Sequence, residues 1–88
     1  MKEEVKKAIA KELMQLRTID NDYTIENLAE LANISKDTIS RYENGSGSNF
    51  DILSKIIAVY GLNLKSFFDR VYDRMQNSEE KDEDQNNE

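Results

Sequence analysis

Lys36, Asp37, Ser40 and Arg41 lie within six residues and carry an ammonium, a carboxylate, a hydroxyl and a guanidinium. Their chemistry is recognition. A guanidinium is a rigid fork of N–H donors that fits two acceptors side by side, and an ammonium is a mobile point charge. Bond-making chemistry has little to work with. The chain has no histidine and no cysteine, so it lacks the commonest general base, the thiolate nucleophile and the usual nitrogen and sulfur metal ligands. The run Asp20-Asn21-Asp22-Tyr23-Thr24 is a poor calcium loop, because Ile25 stands where glycine is required and Leu31 where glutamate is. A binding protein is expected, with no catalysis, metal or cofactor.

The recognition quartet needs a helix to display it. Thr24 to Asn44 (TIENLAELANISKDTISRYEN) contains two short helical periods meeting at a turn. Leu28, Leu31 and Ala32 share one face of the first, with Ala29 beside them. Asn33 tolerates left-handed backbone and ends that period, and Ile34 tucks between the helices. Ser35 reads as the N-cap of the second helix, with Ile39 and Tyr42 as its buried side. Lys36, Asp37, Ser40 and Arg41 then point outward. Asn44-Gly45 is a left-handed stop. This is a helix-turn-helix arrangement. Helices of about nine residues are marginal alone, so a packed domain must surround them.

Other elements follow from periodicity. Residues 2–18 form a first helix with Val5, Ala8, Ile9, Leu13 and Leu16 on one stripe. A polar connector over 18–23 follows, in which Ile19 or Tyr23 packs back. Thr24 caps the next helix, with Glu26 in its first turn. After a flexible polar loop over 46–49, capped by Asn49 or Ser48, comes a helix with Phe50, Leu53, Ile56, Ile57 and Tyr60 inward. Gly61 ends it. Near Asn63 a last helix starts, with Leu64, Phe67, Phe68, Val71, Tyr72 and Met75 on its stripe.

The string Leu28-Ala29-x-Leu31-Ala32-x-Ile34-Ser35-x-x-Thr38-Ile39-Ser40-Arg41-Tyr42-Glu43-x-Gly45 resembles the lambda-repressor-like (Cro/repressor, or xenobiotic-response-element) DNA-binding family, over about Ile9 to Phe68. The resemblance implies an all-α, compact five-helix domain whose third helix enters the major groove of double-stranded DNA. Lys36, Asp37, Ser40 and Arg41 would then meet base edges, Arg41 at guanine O6 and N7 and Asp37 at cytosine N4. Thr24 and Ser35 would offer hydroxyls to phosphate while capping. By the same resemblance Asn44 and Ser46 would touch the DNA backbone, and Glu43 would be a structural acid paired internally. Two departures stand out. Ile25 occupies a position where the family usually carries a phosphate-clamping glutamine, and the loop after Gly45 is uncharged and a residue short.

Residues 1–77 are expected to be one domain, with the helix-turn-helix at 24–44 and a dimerisation helix at 64–77. The domain core uses Leu64, Phe67 and Phe68. Val71, Tyr72 and Met75 extend the stripe beyond it and, with Phe68, predict a homodimer seam. Residues 78–88 (SEEKDEDQNNE) hold six acids, one lysine and no apolar residue. They read as a disordered acidic tail, either solubilising, a damper of nonspecific DNA binding, or a docking segment for a protein partner. The tail's charge of −5, taken from the chain's −6, leaves the body at about −1, so cationic character must be arranged locally. No apolar run reaches the roughly 18 residues of a membrane span, and a cytoplasmic protein is the default. The function expected is a palindrome-binding, dimeric transcriptional regulator of the phage or plasmid repressor or restriction-controller type. The alternative is an adaptor or antitoxin-like module that keeps the shape but does not bind DNA.

Overall fold

The computed structural model describes the backbone of residues 2–86 and the side chains of residues 2–77. The first helix, α1 (Glu3–Gln15), runs without a break into a π-helical segment, Leu16–Asp20. The wide turn is held by side chains that reach back to main-chain carbonyls. Thr18 Oγ1 donates to Met14 O at 2.7 Å, and Asn21 Nδ2 donates to Leu16 O at 2.8 Å. Three short helices follow, α2 (Ile25–Ala32), α3 (Lys36–Glu43) and α4 (Phe50–Ala58), and a long α5 (Leu64–Asn86) closes the chain. Among the described residues there is no strand. No helix of the described residues is long and apolar enough to cross a membrane.

Each short helix begins where a side chain can satisfy the free amides of a first turn. Thr24 and Asn27 form a reciprocal capping box on α2, at 3.0 and 3.1 Å. Asn49 accepts from Ile52 N at 3.0 Å. Asn63 accepts from Ser66 N at 2.8 Å while its own amide donates to Ser66 Oγ at 3.0 Å. Asn33 ends α2 in the left-handed region, with φ 57° and ψ 49°.

The core gathers Ile9, Leu13 and Leu16 from the first helix, Leu28, Ile39 and Tyr42 from the helix-turn-helix, and Leu53, Ile56, Ile57, Phe67 and Val71. Three expectations change. Leu31 is 58% exposed, because α2 turns Leu28 and Ala32 toward α3 and α4 and leaves Leu31 to the side. Phe50 is half-exposed at the start of α4, where the ring of Phe68 meets it edge-on at 6.0 Å. Val71 belongs to the core and not to a free seam, at only 2% exposed. The cause is α1. It is long, it lies against α5, and it carries the core one turn further along α5 than expected.

The start of α1 lies against the domain. Val5 packs against the core, and the Lys6 carbonyl lies 3.9 Å from where a β-carbon on Gly45 would sit. In the connector, Tyr23 packs back by stacking on Tyr60, with centroids 6.2 Å apart, whereas Ile19 is 76% exposed. The backbone of α5 continues as helix beyond Ser78, where the composition suggests a disordered tail. Acids, lysine and glutamine without glycine or proline resist burial but not helix formation. What the tail's side chains do lies outside the described residues.

Glu12 is the surprise of the core. It is 3% exposed, and two arginines of α5 close over its carboxylate: Arg70 Nε at 2.6 Å and Arg74 Nε at 3.2 Å. Arg74 also donates to Gln15 Oε1 at 2.5 Å, and Arg70 to Asp20 at 3.3 Å. The bond to Glu12 raises the pKa of Arg70.

Tyr60 has an enclosed hydroxyl with no hydrogen-bond partner among the described residues. Burial first, and then the nearby Glu43 carboxylate, raise its pKa above the ordinary 10.0. As pH rises the unfolded chain therefore loses this proton before the folded one does. The associated stability is complete below about pH 10 and is lost as pH climbs toward the folded pKa. Tyr60→Phe removes both the orphan hydroxyl and the titration. Its neutral-pH stability should equal or exceed wild type by about 1 kcal/mol, and its melting temperature should fall less between about pH 9 and pH 11. Thermal melts across that range check it; an undiminished alkaline loss contradicts it.

Candidate nucleic-acid interface

The side chains on α3 divide cleanly. Ile39, Tyr42 and Glu43 are buried, Thr38 is half-buried, and Lys36, Asp37, Ser40 and Arg41 are exposed together. Ser35 starts the helix by accepting from Thr38 N at 3.2 Å, and the two hydroxyls share a hydrogen bond of 2.9 Å. The tight turn before it rests on Asn33, and Ile34 N donates to Ala29 O at 3.0 Å. Ile34 packs against the core from this turn.

Two devices fix α3 in place. Glu43 is held by a fork: Arg17 Nε donates to Oε2 at 2.7 Å and Arg17 Nη2 to Oε1 at 2.9 Å. The third arm, Nη1, donates to Tyr23 O at 2.9 Å, and Tyr23 N in turn donates to Arg17 O at 2.7 Å. The arginine and glutamate side chains are only 13% and 5% exposed. The bond to Glu43 raises the Arg17 pKa against the opposing effect of burial, so the guanidinium stays charged at any pH the fold survives.

The second device is Tyr42. Its hydroxyl donates to Asn49 O at 2.9 Å and accepts from Asn49 N at 2.8 Å. The 46–49 segment is thereby closed over the ring, and a β-carbon on Gly47 would collide with that ring. This glycine is needed for close approach. The segment that the sequence reads as a flexible loop is thus tied to α3 through the Tyr42 hydroxyl.

Thr24, Ser35, Asn44 and Ser46 are all exposed around the two short helices. Thr24 Oγ1 accepts within its cap, so its proton remains available to an outside acceptor. Asn44 Oδ1 accepts from Ser46 N at 3.1 Å, and that amide also donates to Arg41 O at 2.9 Å. Only side-chain donors of Asn44 and Ser46 remain for a ligand. The left-handed residue of this stop is Gly45, at φ 89°; Asn44 itself keeps φ −103°. Beside Arg41 a groove of about 300 Å³ opens, lined by Thr38, Ser46, Ser48 and Asn49. Across the turn, Lys36 Nζ lies 3.7 Å from Glu26 Oε2.

A family model described as helix-turn-helix matches residues 13–67, more than half of the chain. The chain belongs to the lambda-repressor-like helix-turn-helix family. No curated protein and no solved structure matches it. The helix-turn-helix family is one of DNA-binding regulators, and the match takes in α2, α3, α4 and their connections, where the exposed quartet and its supports sit.

Glu43 is internal, as expected of a structural acid, but its partner was not foreseen. Arg17 sits 26 residues away on what reads as a polar face of the first helix, and local periodicity carries no signal for such a pair. The Glu12 cluster was hidden in the same way. Arg17→Met leaves Glu43 enclosed without a countercharge and should lower the unfolding free energy by about 3–5 kcal/mol. Glu43→Leu alone should also destabilise the fold, and the double variant should be more stable than either single one. Chemical denaturation of the four proteins measures the coupling; simply additive losses contradict it.

Proposed function

We propose that the chain is a dimeric, sequence-specific transcriptional regulator of the small repressor or restriction-controller type, binding a palindromic operator with α3 of each protomer. The observation that carries the dimer is an aromatic seam. Phe50 and Tyr72 are 50% and 60% exposed, and Phe68 joins them half-buried, in edge contact with Phe50 and, at 5.5 Å, with Phe67. Phe68 and Tyr72 are one turn apart on α5, and Met75 continues the strip, half-buried. Large aromatics left open on so small a domain mark a surface with a partner. A second copy satisfies the seam and a second functional need at once. The exposed quartet holds two cations and one acid, too few charges for one monomer to hold DNA tightly. Two copies on one duplex gain affinity through effective concentration.

Within the quartet, Arg41 suits guanine and Lys36 suits guanine or phosphate. Asp37 suits cytosine N4, and Ser40 supplies a small hydroxyl between them. Thr24, Ser35, Asn44 and Ser46 set the protein on the backbone. Half-site centres would lie about 34–36 Å apart, one DNA turn.

Sites selected from random DNA provide the operator for both tests. Arg41→Ala should cost about 1–3 kcal/mol on that site and relax preference at one base position, with circular dichroism unchanged. Undiminished specificity contradicts the placement of α3. Tyr72→Glu sets like charges across the seam and spares the buried Val71. It should give a folded monomer in sedimentation and weaken operator binding on the order of 100-fold. A wild-type protein that stays monomeric at tens of micromolar on and off DNA overturns the dimer. If no genomic fragment is retarded at low salt, a protein-binding adaptor is favoured instead.

A further inference from the structure

The stretch from Asn44 to Asn49 carries no charge, so Asn44 and Ser46 can offer the DNA backbone only neutral donors. The first helix brings a cation to them. α1 packs against α3, and the Lys6 carbonyl lies 3.9 Å from where a β-carbon on Gly45 would sit. Lys6 is thus a neighbour of the residue between Asn44 and Ser46. At about 100° per residue, Lys2, Lys6, Ala10 and Leu13 share one face of α1. Ala10 and Leu13 are buried on it, Lys6 is half-buried, and Lys2, one turn earlier, is exposed. Of the nearby acids, Glu4 lies on the opposite side of the helix, and Glu3 lies closer to Lys7, four residues on. The fold gives these lysines no partner. Among the described residues neither Lys2 nor Lys6 forms an ion pair, whereas Lys36 faces Glu26 and Lys65 faces Asp69. Cations at the start of a helix also oppose its dipole, so local stability does not account for them.

We propose that Lys6, with Lys2 one turn ahead of it, binds DNA phosphate and completes the backbone-contacting rim begun by Asn44 and Ser46. The proposal rests on α3 being the DNA-reading helix. A lysine stem can lie along the protein while its ammonium stays in water, so a half-buried Lys6 keeps its head for an outside acceptor. No carboxylate has to be left first, and the contact releases counterions from the DNA without breaking an ion pair. Phosphate is the same on every sequence. The two lysines therefore add affinity on all DNA alike and leave discrimination to α3.

The test compares five full-length proteins: wild type, Lys6→Gln, Lys6→Arg, Lys11→Gln, and the double variant of Lys2→Gln with Lys6→Gln. Each is titrated against a random-sequence duplex and against the selected operator at several salt concentrations. Lys11 is the control, exposed on the same helix but about 140° round from Lys6. Lys6→Gln should weaken binding to both duplexes about 3- to 5-fold at low salt. It should also reduce the salt slope by about one, and the double variant by about two. Lys6→Arg keeps the charge and should keep the slope, and Lys11→Gln should stay close to wild type. A Lys6→Gln effect no larger than that of Lys11→Gln reflects net charge alone and overturns the proposal. An equal loss in Lys6→Arg and Lys6→Gln overturns it too, as does a loss confined to the operator. So does a lower melting temperature with an unchanged slope, which would make Lys6 a dipole partner for the end of α3. If Arg41→Ala relaxes specificity while Lys6→Gln behaves as Lys11→Gln does, this inference falls and the DNA reading stands. Failure of the wild type to bind either duplex overturns both.

Discussion

Arg17 holds together three pieces of chain that no continuous stretch of secondary structure connects. Its guanidinium spans Glu43 at the end of α3 and the Tyr23 carbonyl just ahead of α2. Its own carbonyl takes the Tyr23 amide. The π-helical segment that contains Arg17 makes this reach possible, because its wide turn redirects the end of the first helix before the connector begins. Two helices of eight residues cannot hold their mutual angle through backbone bonding alone. The buried fork supplies a directional constraint that apolar packing lacks.

What could be read from sequence follows from the range of the physics. Caps and stops act over three or four residues, so Thr24, Ser35, Asn49, Asn63 and Asn33 are legible, and each does what its side chain can do locally. The outward set on α3 is legible too, because one turn of helix separates Ile39 and Tyr42 from Lys36, Ser40 and Arg41. Of the misplaced residues, Leu31 and Phe50 lie at the side of an apolar stripe, and Val71 lies far along one, where α1 still covers it. Periodicity gives a stripe its direction, but its covered width depends on where other helices cross it. Long-range polar pairs have no local signature at all. A glutamate bound for the core and a glutamate bound for solvent look alike until Arg70 and Arg74, or Arg17, are brought to them by the fold. The loop at 46–49 reads as flexible for a related reason. Its attachment to α3 depends on the Tyr42 hydroxyl and on the absence of a side chain on Gly47.

Electrostatics sets a second theme. A body of about −1 charge has no general attraction for a polyanion, and the surface around α3 alternates sign. Such a surface gains little from phosphate alone, so in the proposed DNA reading discrimination would come from the directional donors of Arg41 and Lys36. Weak nonspecific binding would serve the proposed regulator, because genomic DNA competes with an operator at every position.

The two buried carboxylates give these themes a common frame. Among the described residues, Glu12 and Glu43 are the buried charged side chains, and each is closed by arginine. Glu12, on α1, takes Arg70 and Arg74 from α5. Arg17, just beyond α1, takes Glu43 from α3. Along α5, Arg70 and Arg74 alternate with Phe68 and Tyr72, the residues of the proposed seam. The path from that seam to α3 therefore passes through the two ion pairs of Glu12 with Arg70 and Arg74, the first helix, and the Arg17–Glu43 pair. Apolar contacts tolerate sliding by a fraction of a side chain, whereas a carboxylate gripped by guanidinium groups has one good position. A dimer joined through α5 would need that precision, since any tilt of α5 against α1 displaces α3 from its groove. On this view the arginine-closed acids are placed where orientation, more than stability, is at stake.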